Sequence, residues 1–151
     1  MIIGISHITF IVKNLERTAV FLEKIFEAKE VYSRDSTVKY FLVKDLWIAL
    51  NKGEPLSTRT YNHIAFQIEE KDMEKYIERI NSVGVEIKPE QPDRVRIEGE
   101  GRSIYFYDYD NHLFELHTGA LSGRLAGYAG IDNYCYSTKI NSSGCAGQPL
   151  E

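Results

Sequence analysis

The sequence predicts an α+β fold made of two βαβββ modules whose sheets curl around a common site. Three observations predict it. Ser6-His7-Ile8-Thr9-Phe10-Ile11-Val12 is echoed by Asn62-His63-Ile64-Ala65-Phe66-Gln67-Ile68, 63 − 7 = 56 residues later, and a repeat of that length marks two similar modules joined in one chain. Both copies alternate apolar and other residues with the period of two that belongs to a strand. Each copy is then followed by an amphipathic helical pattern and further short strand patterns, the order of an α+β module repeated.

In the first module, Ile8, Phe10 and Val12 face one way and His7, Thr9 and Ile11 the other. Asn14 is a plausible N-cap for a helix over residues 15–28, where Leu15, Ala19, Leu22 and Phe26 recur at helical spacing and Glu16, Arg17, Glu23 and Lys24 stay outside. Residues 30–33 read as a short strand. Residues 38–43 and 46–50 read as a hairpin turning at Lys44-Asp45. Residues 53–58, with Gly53 and Pro55, form the linker.

The second module repeats the order. Residues 63–68 are a strand, and 71–83 a helix with Met73, Tyr76, Ile77 and Ile80 inward and Gly84 closing it. Residues 85–88 read as a strand and 89–102, with two prolines, as an irregular loop. Residues 103–107 and 112–117 form a hairpin around Asp108-Tyr109-Asp110-Asn111. Residues 120–128 read as a short helix, and the Ser/Gly/Pro-rich end from 141 as disordered.

A chain of 151 residues is one domain, or two half-domains too small to hold separate cores. Net charge is −4 and no basic stripe is interleaved with aromatics, which argues against a nucleic-acid partner. No apolar run approaches membrane-spanning length and the start shows no signal-peptide pattern, so a cytoplasmic protein is expected. Cys135 and Cys145 lack metal-ligand spacing, and in that compartment they are expected as free thiols.

His7 and His63 hold equivalent places in the repeat, each on the strand face opposite the hydrophobic run. In His112-Leu113-Phe114-Glu115-Leu116-His117, Glu115 and His117 share one strand face and Phe114 and Leu116 the other. Two imidazoles and a carboxylate converging from separate strands make a facial metal site with positions left open for chemistry. The plain alternative for a strand histidine is a hydrogen-bonded structural role. The equivalence of His7 and His63, joined by Glu115, favours metal ligation, with His112 and His117 as supporting residues.

The doubled module with His, His and Glu at these places resembles the vicinal oxygen chelate superfamily, to which glyoxalase I and the extradiol dioxygenases belong. Gly4-Ile5-Ser6-His7-Ile8-Thr9, Tyr61-Asn62-His63-Ile64-Ala65-Phe66, the segment from Gly99 to Phe106, and the segment from Asp110 to Gly119 narrow the resemblance to the fosfomycin resistance proteins. The second module is most similar to the FosX-type enzymes, which hydrate the epoxide of fosfomycin with manganese. The resemblance covers residues 1–128, expected as one domain with module one at about 1–52 and module two at about 61–119. Residues 129–151 are then expected as a flexible tail.

The resemblance implies His7, His63 and Glu115 as ligands of Mn2+ or another divalent metal, in a homodimer where His7 of one chain joins His63 and Glu115 of the other. It implies Lys88, Ser103, Tyr105 and Arg124 as contacts of the substrate phosphonate, two of them charged and two neutral donors. Thr9 lies two residues along the strand from His7, about 7 Å away on the same face, where relatives serve the epoxide oxygen or the nucleophile. Trp47 and Tyr61 are read as pocket walls, and Tyr40 as lining the approach to the epoxide carbon.

One position departs from the hydrolases. They carry a glutamate as the base in the strand before the Leu46-Trp47-Ile48 segment, and here that place holds Val38, after a loop about six residues shorter. Glu98, Glu100 or Asp35 could substitute. The shorter first module looks more like the relatives that add a thiol (glutathione, bacillithiol or cysteine) to the same epoxide, and these need no base as strong. Water addition is the first reading and thiol transfer the alternative. A ring-cleaving dioxygenase is disfavoured by the Lys88 and Arg124 set, and a non-catalytic drug-binding protein by the intact ligand trio.

Overall fold

In the computed structural model, residues 1–89, 97 and 99–138 are described, with side chains as far as residue 129. The first strand, β1 (His7–Val12), leads into helix α1 (Leu15–Phe26), whose first turn is capped by Asn14 Oδ1 accepting from the Arg17 amide at 3.0 Å. β2 (Lys29–Arg34), β3 (Val38–Val43) and β4 (Leu46–Lys52) complete module one. Lys44, at φ 52°, makes the tight turn between β3 and β4. Module two holds β5 (His63–Gln67), helix α2 (Met73–Ser82), β6 (Ser103–Tyr107) and β7 (Leu113–His117). Helix α3 (Leu121–Thr138) follows.

The strands form two sheets. One has the order β1-β4-β3-β2, with β1 and β4 parallel; the other has the order β5-β7-β6, with β5 and β7 parallel. In both modules the histidine-bearing strand therefore lies beside the last strand of its own module, which is the symmetry that the repeat predicts.

Between the sheets lies one aromatic core. Phe21, Phe41, Phe106 and Phe114 are essentially inaccessible to solvent, as are Leu22, Ile25, Ile48, Ile80 and Leu116. The alternation read from the sequence holds, since Phe10 and Val12 are buried and Ile8 half-buried, while His7, Thr9 and Ile11 are exposed. Lys39 is a charged exception on the core side of β3. Its ammonium is paired with Glu30 at 2.9 Å and Glu16 at 3.2 Å, and Glu30 chiefly holds its pKa above the ordinary lysine value.

Three elements differ from expectation. Residues 85–88 do not form a strand; one bridge from Ile87 to Phe106 and a 2.7 Å bond from the Lys88 amide to the Tyr105 carbonyl are what pairs there. Pro89 has no N–H to extend the ladder and restricts the residue before it. The helix expected over 71–83 starts as a 3-10 turn, Glu70–Asp72, and becomes α-helical at Met73. The helix expected to end at residue 128 continues to Thr138. No proline interrupts this stretch, while Gly127, Gly130, Asp132 and Asn133 weaken the propensity signal that would have announced it. Residues 139–151, with Cys145, lie outside the described residues. Among the described residues no helix is long and apolar enough to cross a membrane.

Candidate metal centre

Register fixes which side chains share a face. In module two, His63 pairs with Leu113, Ala65 with Glu115 and Gln67 with His117, while Tyr105 pairs with Glu115 and Ser103 with His117. Partners across a ladder point the same way. His63, Glu115, His117, Ser103 and Tyr105 therefore stand on the face turned away from Phe106, Phe114 and Leu116.

His63 and Glu115 meet there, Nε2 to Oε2, at 2.8 Å. His63 Nδ1 donates to the Tyr61 carbonyl at 2.7 Å. A carbonyl can only accept, so a proton sits on Nδ1, which leaves Nε2 as the nitrogen that a metal ion would take. Two donors each about 2.1 Å from one cation and about a right angle apart stand about 3 Å from each other, so the spacing fits two ligands of one divalent ion. Glu115 is only 5% exposed, and its other oxygen accepts from Ser103 Oγ at 2.6 Å.

Around this pair stand the groups read as substrate contacts. The rings of Tyr61 and Tyr105 lie edge-on to His63 at 5.0 and 5.4 Å. The two phenol oxygens are 3.4 Å apart, and Lys88 Nζ sits 5.0 Å from the centre of the Tyr61 ring. Burial, followed by Tyr61 and Glu115, pushes the Tyr105 pKa far above the ordinary tyrosine value, so this hydroxyl stays a neutral donor. Arg124 is partly buried on the first turn of α3. A Cβ on Gly101 or Gly119 would collide with the opposing backbone, so these glycines let the loop before β6 press against the end of β7. Arg102 N donates to Thr118 Oγ1 at 2.9 Å across that contact.

The other candidates lie on the first sheet. His7 pairs with Trp47, and Thr9 with Ala49, which pairs in turn with Tyr40. The His7 and Trp47 rings are 4.3 Å apart, Trp47 and Tyr40 5.2 Å, and Tyr40 and Tyr32 5.1 Å. This half-site is an aromatic row beside Thr9, with His7 exposed at its end. Val38 occupies the next row on the same face, across from Asn51, which in turn faces Ile11. Asn51 is a polar neighbour that the sequence reading did not single out. Of the substitute bases, Asp35 is exposed in the β2–β3 turn, Glu100 is buried, and Glu98 lies outside the described residues.

The two half-sites belong to different sheets, each on the face away from the common core. Among the described residues no three His, Cys, Asp or Glu side chains gather into a metal-holding group within one chain.

Residues 4–116 match the Glyoxalase/Bleomycin resistance protein/Dioxygenase superfamily. The chain belongs to this superfamily. Within it, the chain is 59% identical over 134 residues to the fosfomycin resistance protein FosX of Listeria innocua, covering 85% of this chain and 98% of that protein. A metallothiol transferase FosB of Shouchella clausii is 37% identical over 132 residues, covering 85% of this chain and 88% of that one. Among solved structures, a mutant FosX of Listeria monocytogenes complexed with Mn(II) and 1S,2S-dihydroxypropylphosphonic acid superposes with a TM-score of 0.78 at 58% identity, covering 85% of this chain and 99% of that one. The fosfomycin resistance branch of the superfamily, read from the segments around His7, His63 and Glu115, is thus the branch to which the chain is similar, and the α+β architecture of two modules agrees with it.

Proposed function

We propose that this protein opens the epoxide ring of fosfomycin by adding water, as a cytoplasmic homodimer with two metal sites. The observation that carries the reading is the 2.8 Å His63–Glu115 pair, set on one face with Ser103 and Tyr105 and with Lys88 over the nearby Tyr61 ring, in a chain 59% identical to a FosX protein. The ligand found in the FosX mutant is a dihydroxypropylphosphonate, which is what addition of water to an epoxypropylphosphonate leaves.

His63 and Glu115 of one chain, with His7 of the other, would hold the ion; Mn(II) is present in two structures of the Listeria monocytogenes FosX. Two neutral imidazoles and one carboxylate leave net positive charge, so a divalent ion there would supply Lewis acidity toward an epoxide oxygen. The protein's own groups do the rest. Lys88 and Arg124 attract the dianionic phosphonate, and Tyr105, kept protonated by burial, donates to it. Thr9 stands beside His7 to orient the epoxide or the incoming nucleophile. The aromatic row Trp47–Tyr40–Tyr32 forms a wall that limits water around the three-membered ring.

The same geometry supports pairing of two copies. Each chain presents two incomplete half-sites on outward faces, and apolar side chains are exposed on the first of them, among them Ile11, Tyr32 and Leu42. Burial of these residues against a second copy would join His7 to the His63–Glu115 pair.

A second reading has one specific observation behind it. Val38 stands where a hydrolase base would, and a thiol needs less help to ionise than water does. The test of both is phosphorus NMR of fosfomycin with protein and Mn2+, first without thiol and then with glutathione, cysteine or bacillithiol. The diol in the thiol-free tube supports hydration, and an adduct formed with one thiol supports transfer. Unchanged fosfomycin in every tube would refute the proposed substrate.

A further inference from the structure

The two oxygens of Glu115 have different partners. Oε2 meets His63, while Oε1 is 2.6 Å from Ser103 Oγ. A hydroxyl and a carboxylate that close share a proton, and only the hydroxyl has one to give, so Ser103 donates. The serine oxygen is then an acceptor for its remaining neighbour, His117 Nδ1, at 2.9 Å. His117 is therefore the Nδ1–H tautomer, and the bonds run in one direction, from His117 to Ser103 to Glu115. The direct separation of His117 Nδ1 from Glu115 Oε1 is 3.5 Å, so the serine is the link.

Cross-strand register makes this possible, because Ser103 and His117 are direct partners on the His63 face. Gly119 fixes the other side of the imidazole. A Cβ at that position would stand 2.7 Å from His117 Nε2, so the ring is boxed in by backbone and aimed at the serine.

We propose that His117 and Ser103 are positioning residues that lock the Glu115 carboxylate with Oε2 toward His63, so that Ser103 serves the carboxylate before it serves any phosphonate. The proposal rests on reading His63 and Glu115 as metal ligands. A ligating carboxylate without such a partner rotates and loses its preset geometry, and loss of an outer partner of this kind typically weakens metal binding about 10–100-fold.

The test is Mn2+ affinity of the purified full-length protein without substrate, from the electron paramagnetic resonance signal of free Mn2+. Ser103→Ala and His117→Ala should each weaken binding about 10–100-fold. The double variant should be little worse than either single one, because both break one chain of bonds. His117→Asn, whose amide nitrogen can replace the Nδ1–H donor, should restore most of the affinity. Glu115→Ala is the reference. If it loses Mn2+ while Ser103→Ala and His117→Ala bind it as the parent does, the relay is wrong and the ligand reading stands. If Glu115→Ala also binds normally, both fall. Thermal melts establish that each variant is folded, and Ser103→Ala alone decides the matter should His117→Ala not fold.

Discussion

The ring of Phe10, on the first strand of module one, lies 5.3 Å from the ring of Phe114, on the last strand of module two. Phe114 also contacts Phe21, Phe26 and Phe106. The modules thus bury their apolar faces against each other, as half-domains of this size must. Phe114→Ala should cost about 3–5 kcal/mol, the usual range for emptying a buried phenylalanine site. Calorimetry of the parent protein should show one unfolding transition for residues 1–128. Two resolved transitions, only one of them shifted by the substitution, would mean separate cores.

Asp110 joins the modules by a polar contact, its Oδ1 accepting from the Lys13 amide at 3.2 Å. Its Oδ2 is buried and has no hydrogen-bond partner among the described residues. Burial, with the Asp108 carboxylate adding to it, raises the pKa of this group above the ordinary 3.8, against the opposing pull of the Lys13 amide, His112 and Arg17. An acid raised on folding contributes stability that is complete below its unfolded pKa and is lost as pH rises through the folded one. Asp110→Asn keeps an acceptor for Lys13 and removes the charge. It should melt a few °C higher than the parent at pH 7.5, with the gap closing as pH falls toward 4. An unchanged or lower melting temperature at pH 7.5 would contradict this reading.

Most of the fold could be read because it rests on local periodicity. The burial of alternate residues in β1, the Asn14 cap and the β3–β4 turn each follow from neighbouring residues. The exceptions are those where distant or weak terms decide. Pro89 limits residues 85–88 to one bridge, and α3 continues past residue 128 through glycines that hide it. The site divides in the same way. That Glu115 and His117 share a face is a matter of period two and was legible. That Ser103 lies between them depends on the register of β6 against β7, which no sequence period fixes. The distance from His7 to His63 was equally out of reach, since their strands belong to different sheets.

Separation of those two histidines makes the shared-site reading open to complementation. His7→Ala and His63→Ala proteins should each be inactive and hold Mn2+ poorly. After subunit exchange, half of the dimers of a symmetric pair are hybrids with one site carrying both lesions and one carrying neither, so about a quarter of all sites are restored. Activity near that level after mixing, with a dimer seen by light scattering, is the expected result. No recovery after proven exchange would place His7 and His63 in the same site of a single chain.

The last prediction concerns the nucleophile. Val38 lies on the His7 face, across from Asn51 and one row beyond Tyr40 and Ala49. A valine cannot accept a proton, and a positioned general base is typically worth about a hundred- to ten-thousand-fold. Thiol-free hydration by the unaltered protein should therefore be slow, and Val38→Glu should raise it by a factor within that range. On the alternative reading of thiol transfer, conversion should be faster with a thiol present, because the thiol brings its own acidity. The measurement is the initial rate of diol and of thiol adduct for both proteins by phosphorus NMR. Rapid diol formation by the unaltered protein without thiol would overturn the argument. Glu100→Gln and Asp35→Asn would then be the variants to examine for the base, together with Glu98→Gln.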